Sequence, residues 1–183
     1  SSGALETEVA FGALASRIPE GAPHAKQVLV GGLGFGGTAR GALAHVGEHG
    51  RVVVSERFAS VIALAKEGLP LDFSHTSDPR LTIANEDVWD TVSRLRDLDA
   101  ILLDVDNGPE WATFRENARL YSEPGLRAMK GALRVGGFVA VWSGYARDTF
   151  VGALRRAGLR PEIVPLMERG AMAARAYVGY RDV

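Results

Sequence analysis

The glycine-rich stretch that follows a short valine and leucine run constrains this chain more than any other segment. Residues 27–40 read QVLVGGLGFGGTAR, with glycine at positions 31, 32, 34, 36 and 37. Glycine lets a backbone turn sharply and approach another group closely. The pattern predicts a buried strand, a glycine turn and a helix over residues 38–49, with the first N–H groups of that helix facing the turn. Gly32, Gly34 and Gly37 also fit the G-x-G-x-x-G spacing of nucleotide-binding turns.

Apolar runs alternate with helical patterns along the rest of the chain. Strands are predicted over residues 51–56, 80–85, 99–104 and 138–143, and helices over residues 4–18, 58–69, 88–96, 123–134 and 146–157. Loops are predicted over residues 71–79 and 105–122. The last two strands, residues 160–167 and 174–180, are joined by a short turn and must pair antiparallel. These features predict an α/β fold, a mostly parallel sheet with a C-terminal antiparallel hairpin and helices on both faces.

The length and composition fit one domain over residues 1–183, with residues 1–24 forming an N-terminal helix and linker that pack on it. A net charge of -1 predicts no nucleic-acid or membrane partner. The chain has no cysteine, no membrane-length apolar run and no leader at its start, which favours a cytoplasmic protein. The first residue is serine, so residues upstream remain possible, and a homodimer is left open.

Carboxylates stand at the predicted ends of three strands, where ligands bind in such folds. Glu56 lies about 20 residues beyond the glycine turn, the position at which a carboxylate accepts hydrogen bonds from ribose hydroxyls. Asp87 follows the third strand, where it could accept from the amino group of an adenine or cap the next helix, and both roles can hold at once. Asp104 and Asp106 end the fourth strand, and either could act as a base or orienting group beside a cationic sulfonium.

The predicted loop after the fourth strand carries further candidates for the acceptor side of the site. Asn107, Trp111 and Tyr121 are predicted to contact the acceptor, since aromatic faces favour cations, although aromatic anchoring of the loop is an alternative. His45 and His49 are four residues apart on a predicted helix, which is a spacing of metal ligands. No third ligand accompanies them, so no metal site is predicted. The G-x-S-x-G and G-x-x-x-x-G-K-[ST] motifs of hydrolases and P-loop proteins are absent.

Five segments resemble the spermidine synthase (polyamine aminopropyltransferase) family, a branch of the class I S-adenosylmethionine-dependent methyltransferase fold. They read VLVGGLGFGGTAR, VVVSERFASVIALAKEGLP, DPRLTIANED, DAILLDVDNGP and LYSEPGLRAMKGALRVGGFVAVWS, and the similarity spans residues 8–143 in order. The resemblance implies a Rossmann-like, seven-stranded sheet and a cofactor that is S-adenosylmethionine or its decarboxylated form. It implies that Gly32, Gly34 and Gly36 admit the amino-acid tail, that Glu56 contacts the ribose, and that Asp87 lies near the adenine.

The chain departs from the family at the positions that hold the polyamine. Phe35 stands where the family's GGGDGG motif has an aspartate for the ammonium group of the aminopropyl tail. The family's D-x-x-D motif appears as residues 104–107, with the second carboxylate, Asp106, one position early. Residues 11–13 read Phe-Gly-Ala where the family has Tyr-His-Glu, and the family's small N-terminal β-domain has no counterpart in this sequence. The resemblance therefore supports the cofactor pocket more than the polyamine substrate.

Together these observations predict a transferase that passes an alkyl group from the sulfonium to a small-molecule acceptor. Methyl transfer is favoured because Phe35 removes the partner of the tail ammonium. One alternative is a true aminopropyltransferase whose acidic contacts have moved, for instance to Glu6, Glu8 or Asp106. Others are an NAD(P)-dependent oxidoreductase, which the G-x-G-x-x-G spacing admits, and a module that binds the nucleoside without catalysis.

Overall fold

The strands that carry the site form a single sheet. In a computed structural model, which describes residues 4–18, 24–67, 77–105, 117–146 and 148–182, seven strands are present. They are β1 (Ala25–Gly31), β2 (Val46–Ser55), β3 (Leu81–Ala84), β4 (Leu98–Leu103), β5 (Leu133–Ser143), β6 (Arg160–Glu168) and β7 (Ala171–Tyr180). Their order across the sheet is β3-β2-β1-β4-β5-β7-β6. The strands β1 to β5 pair in parallel, and β7 pairs antiparallel with both β5 and β6.

Helices lie on both faces of the sheet, as predicted. The described helices are α1 (Ala4–Gly12), α2 (Gly37–Leu43), α3 (Ala59–Lys66), α4 (Val88–Arg94), α5 (Ala118–Tyr121), α6 (Glu123–Ala132) and α7 (Asp148–Arg156), and a 3₁₀ turn over Ala13–Ser16 follows α1. Side chains alternate across each strand, so Val28 and Val30 of β1 enter one core while Leu29 enters the other. None of the described helices is long and apolar enough to cross a bilayer.

The predicted C-terminal hairpin is confirmed. Nine residue pairs join β6 to β7, from the Arg160–Tyr180 pair to the Glu168–Ala171 pair. The short turn between them contains Arg169 and Gly170, both with positive φ. β6 is an edge strand and carries Pro161 and Pro165, which lack the N–H groups that another strand would need for pairing. The arrangement of five parallel strands and an antiparallel hairpin matches the predicted fold class.

Several predicted boundaries are wrong, including those of one helix, one strand and one loop. The helix expected over residues 38–49 ends at Leu43, because Val46 already pairs with Ala25 at the beginning of β2. β5 begins at Leu133 rather than at residue 138, because Leu133 pairs with Leu98 beyond an irregularity in the β4–β5 register. Part of the predicted loop over residues 105–122 is the helix α5. In both strands the additional residues are held by a neighbouring strand, which the local sequence pattern does not show.

The helices α1 and α2 contact each other backbone to backbone. A Cβ atom added at Gly12 would lie 2.1 Å from the carbonyl oxygen of Thr38, and one added at Gly41 would lie 2.1 Å from that of Val9. Only glycine fits at this crossing. Residues four apart share a helix face, so Glu8, one turn before Gly12, lies against the beginning of α2.

Candidate functional site

The glycine turn between β1 and α2 forms one wall of a cleft at the carboxyl edge of the sheet. Gly32 has φ +91°, and a Cβ atom there would lie 2.4 Å from the carbonyl oxygen of Asp104. Glycine is therefore required for the close approach of β1 to the end of β4. Gly34, at φ +49°, has no atom within 4 Å of its Cβ position, and Gly36 has φ +81°. The turn is thus tight at Gly32 and open at Gly34, where backbone is accessible to a ligand.

Glu56 fixes the glycine turn from the neighbouring strand. It follows β2 directly and is buried, with 8% of its surface exposed. Its Oε2 accepts a hydrogen bond of 3.0 Å from the Leu33 N–H, and its Oε1 accepts one of 2.8 Å from the Phe58 N–H. A carboxylate offers about four lone-pair positions, so two remain for further donors. Glu56 also lines the cleft, so its placement is compatible with the predicted contact to a ribose.

Asp87 caps the helix that follows β3. Its Oδ1 accepts a hydrogen bond of 2.8 Å from the Trp89 N–H, which confirms the N-cap that the sequence predicts. The same oxygen lies 2.9 Å from Arg119 Nη2 of α5, and the Arg119 guanidinium stands 5.3 Å from the centre of the Trp89 ring. Both contacts engage Oδ1, and Asp87 is part of the cleft wall. The predicted adenine contact stays a prediction, and Oδ2 is the atom that would make it.

Asp104 follows β4 directly and lines the cleft. Its backbone N–H donates to the Gly31 carbonyl at 2.8 Å, and its Oδ2 accepts a hydrogen bond of 2.7 Å from the Thr38 hydroxyl of α2. Desolvation raises the pKa of Asp104 above its usual value, and the Thr38 hydrogen bond opposes that rise. A carboxyl group with a raised pKa in a cleft is a candidate proton acceptor.

A second carboxyl group, that of Glu8 on α1, is close enough to Asp104 for the charge of Asp104 to act on it. Burial and, to a smaller extent, the charge of Asp104 raise the pKa of Glu8 from 4.5 to about 7, against the opposing effect of a hydrogen bond from the Gly37 N–H. From the sequence, Glu8 is predicted only as one possible polyamine contact, and nothing in the sequence places it near Asp104. No local pattern marks it, because its position depends on the crossing of α1 and α2 at Gly12 and Gly41.

The cleft has a volume of about 220 Å³. Its walls are Gly32, Gly34, residues 55–58, Val61, residues 86–88, residues 104–105 and Asn117. The structure therefore brings together five of the predicted cofactor residues: Gly32, Gly34, Glu56, Asp87 and Asp104. The half-exposed side chain of Phe58 also lines the cleft and was not predicted, since an aromatic residue just after a strand has no specific sequence signature.

Other predicted site residues lie elsewhere or outside the described part of the chain. Phe35 is 48% exposed, and neither it nor Gly36 is among the residues that form the cleft wall. Tyr121 is buried against Phe150 at a centroid distance of 6.2 Å, which agrees with an anchoring role. Asp106, Asn107 and Trp111 fall outside the described residues.

The pair of histidines is not on one helix. α2 ends at Leu43, so His45 lies in the turn that follows, and His49 lies in β2. The prediction that His45 and His49 lie one turn apart on the same helix is wrong, because β2 begins where the last turn of that helix was predicted. Among the described residues there is no group of three or more His, Asp or Glu side chains that could hold a metal ion.

The fold and the cleft define an α/β chain of the class I methyltransferase type. The spermidine synthase from Thermotoga maritima superposes with a TM-score of 0.71 and 21% identity, over 99% of this chain and 60% of that one. Human methyltransferase-like protein 13, in complex with SAH, superposes with a TM-score of 0.66 and 18% identity, over 97% of this chain and 80% of that one. No family model and no curated protein sequence matches.

These similarities show that the chain has a spermidine-synthase-like class I methyltransferase fold, as the sequence resemblance implies. The chain spans about 60% of the length of the spermidine synthase that it matches. At this level of identity the similarity describes the fold, and the activity has to be argued from the residues of the cleft.

Proposed function

We propose that this chain binds S-adenosylmethionine, or its decarboxylated form, in the cleft and is a transferase for a small-molecule acceptor. The observation that carries the proposal is Glu56, a buried carboxylate that accepts hydrogen bonds from Leu33 in the glycine turn and from Phe58 after β2, and that has acceptor positions left for a ligand in the cleft. A ribose, with two neighbouring hydroxyl donors, suits such a group. The accessible backbone at Gly34 supports an amino-acid tail beside the turn.

The cofactor supplies an alkyl carbon that its sulfonium activates towards a nucleophile. Gly32 and Gly34 would border its tail, Glu56 would hold its ribose, and Asp87 would lie by its adenine. Asp104 would accept a proton from the acceptor or orient it, with Asp106 retained from the sequence as the other candidate base. Asn107 and Trp111 stay predicted acceptor contacts, and the acceptor itself is proposed only as a small molecule.

Methyl transfer is the favoured reaction, because Phe35 replaces the aspartate that pairs with the tail ammonium in the aminopropyltransferase family. One observation favours aminopropyl transfer as a second candidate. Glu8 and Asp104 place two carboxyl groups near the beginning of α2, where the glycine turn ends. Such a pair could compensate for the missing aspartate by holding a cationic tail.

Isothermal titration calorimetry with S-adenosylmethionine, decarboxylated S-adenosylmethionine and methylthioadenosine tests the proposal. Tighter binding of the carboxylated cofactor supports methyl transfer, and tighter binding of the decarboxylated form supports aminopropyl transfer. The variant Glu56→Ala should weaken binding by roughly 10- to 100-fold, since a hydrogen bond to a charged group contributes about 1.5–3 kcal/mol. Glu48→Ala, an exposed change on the same strand, should leave it unchanged. Absence of binding for all three compounds would overturn the proposal.

A further inference from the structure

Thr91, one turn into α4, is a fully buried polar residue that joins two segments of the cleft wall. Its hydroxyl donates towards Glu86 Oε1 at 2.9 Å and towards Ser55 Oγ at 3.1 Å. Ser55 ends β2, and its own hydroxyl donates to the Glu86 carbonyl oxygen at 2.8 Å. Ser55 and Glu86 both line the cleft. The two hydroxyl groups thus bind the side chain and the backbone of Glu86 to the end of β2.

The turn that is held in this way carries Asp87, which directly follows Glu86. The Thr91 N–H donates to the Asp87 carbonyl oxygen at 3.2 Å, and the Thr91 hydroxyl lies 3.4 Å from the same oxygen. On the other side of the turn, the side-chain amide of Asn85 donates to the Glu56 carbonyl oxygen at 3.0 Å. Side-chain hydrogen bonds therefore connect the turn that carries Asp87 to the strand end that carries Glu56.

The two adjacent carboxyl groups of this turn have different partners. Glu86 Oε1 pairs with Arg94 in the last turn of α4 and accepts the hydrogen bond from Thr91. Hydrogen bonds from Arg94 and, to a smaller extent, from Thr91 lower the pKa of Glu86. Glu86 is therefore engaged by α4. The two contacts of Asp87 described above both engage Oδ1 and leave Oδ2 for a ligand in the cleft.

Resting on the proposed function, we propose that Thr91 is a positioning residue that sets the nucleobase preference of the cleft through Asp87. A carboxylate oxygen only accepts hydrogen bonds, so Asp87 Oδ2 suits the 6-amino group of an adenine and repels the 6-oxo group of a hypoxanthine. This discrimination requires Asp87 to stand at a fixed position relative to the ribose site at Glu56, because a hydrogen bond weakens steeply when its geometry is poor. Thr91 fixes that position by binding the Asp87 turn to Ser55.

Calorimetry with S-adenosylhomocysteine and S-inosylhomocysteine, which has a 6-oxo group in place of the 6-amino group, measures this preference as a ratio of dissociation constants. We expect the wild type to bind S-adenosylhomocysteine about 10- to 100-fold more tightly. Thr91→Val keeps the shape of the side chain and removes the hydroxyl, so it should lower this ratio by about 3- to 10-fold. Thr91→Ser keeps the hydroxyl and should retain the ratio. Ser93→Ala, an exposed change on the same helix, should also retain it.

The ratio separates positioning from a merely structural role, because a smaller folded fraction weakens the binding of both ligands by the same factor. An unchanged ratio in Thr91→Val, or equal binding of the two ligands by the wild type, would overturn the inference and leave the proposed function standing. Failure of the wild type to bind S-adenosylhomocysteine or either form of the cofactor would overturn both. If Thr91→Val does not fold, Ser55→Ala removes the same link to β2 and should lower the ratio by a similar factor. An unchanged ratio in Ser55→Ala would then overturn the inference.

Discussion

Asp87 caps α4 through Trp89, pairs with Arg119 and lines the cleft, so substitutions can separate its roles. Asp87→Ser keeps an N-cap oxygen and should leave the free energy of unfolding within about 0.5 kcal/mol of wild type. It removes the oxygen available to an adenine and should weaken S-adenosylhomocysteine binding about tenfold. Asp87→Ala should show the same weaker binding and lose about 1 kcal/mol of stability. Urea unfolding and calorimetry measure the two effects.

Arg119→Gln is the control for Asp87, because it breaks the ion pair and keeps the carboxylate. The pair is partly exposed, so its loss should cost under about 1 kcal/mol. Binding by Asp87→Ser at wild-type strength would show that the helix cap is the main role of this residue.

Asp99 joins three segments far from the cleft. It is 3% exposed, its Oδ2 accepts hydrogen bonds of 2.7 Å from the N–H groups of Lys26 and Gln27, and its Oδ1 pairs with Arg134. Asp99→Ala leaves these donors without their acceptor and should cost about 3–5 kcal/mol in urea unfolding. Asp182→Ala breaks an exposed pair with Arg160 and should cost under about 1 kcal/mol. Similar losses in the two variants would contradict the role of Asp99.

At the scale of helices, the crossing of α1 and α2 depends on Gly12 and Gly41. Alanine at either position meets a carbonyl oxygen at 2.1 Å, so the helices must separate, at a net cost of about 1–3 kcal/mol despite the better helix propensity. Gly131→Ala in α6 meets no atom within 4 Å and should stabilise the protein by up to about 1 kcal/mol. Thermal unfolding of the three variants measures the contrast, and a stabilising Gly12→Ala would contradict the close crossing.

The sequence predicted the strands that contain a continuous apolar run, such as β4. Such runs are expected because a parallel sheet that is covered by helices buries both faces of its strands. It missed the first residues of β2 and β5, where glycines and charges interrupt the pattern. In β2 those residues are held by pairing with β1, and in β5 by pairing with β4. Such pairing depends on register between distant segments, and a local window does not contain it.

At the scale of the whole molecule, the candidate site is assembled from segments that the fold brings to one edge of the sheet. Glu56 and Asp87 were identified because a carboxylate at the end of a strand has a predictable direction. Glu8 was not placed near Asp104, since 96 positions separate them and their proximity depends on how α1 crosses α2. The sequence thus predicts the groups carried by strand ends better than those brought in by helix packing.

The raised pKa values of Glu8 and Asp104 should make the free energy of unfolding of the whole protein fall as the pH rises. The pKa of Glu8 is about 7 in the folded state, against an ordinary value of 4.5 that applies to the unfolded chain. Between these two pH values the folded state therefore binds more protons than the unfolded state. The free energy of unfolding then decreases with pH across this window, and Asp104 acts in the same direction. Glu86 and Glu162, whose pKa values are lowered by Arg94 and Arg17, add stability above about pH 4.5 that is lost in acid.

We therefore expect the free energy of unfolding to be highest at about pH 5 and to fall by about 1–2 kcal/mol towards pH 8. The expected fall is small because Glu8 is partly exposed, so solvent screens its interactions. Urea unfolding of wild type, Glu8→Gln and Glu6→Gln across this range measures the slope. Glu8→Gln should flatten the decrease and Glu6→Gln should retain it, because Glu8→Gln removes a group whose pKa is raised in the folded state. A slope that persists in Glu8→Gln would assign the pH dependence to other groups and contradict the raised pKa of Glu8.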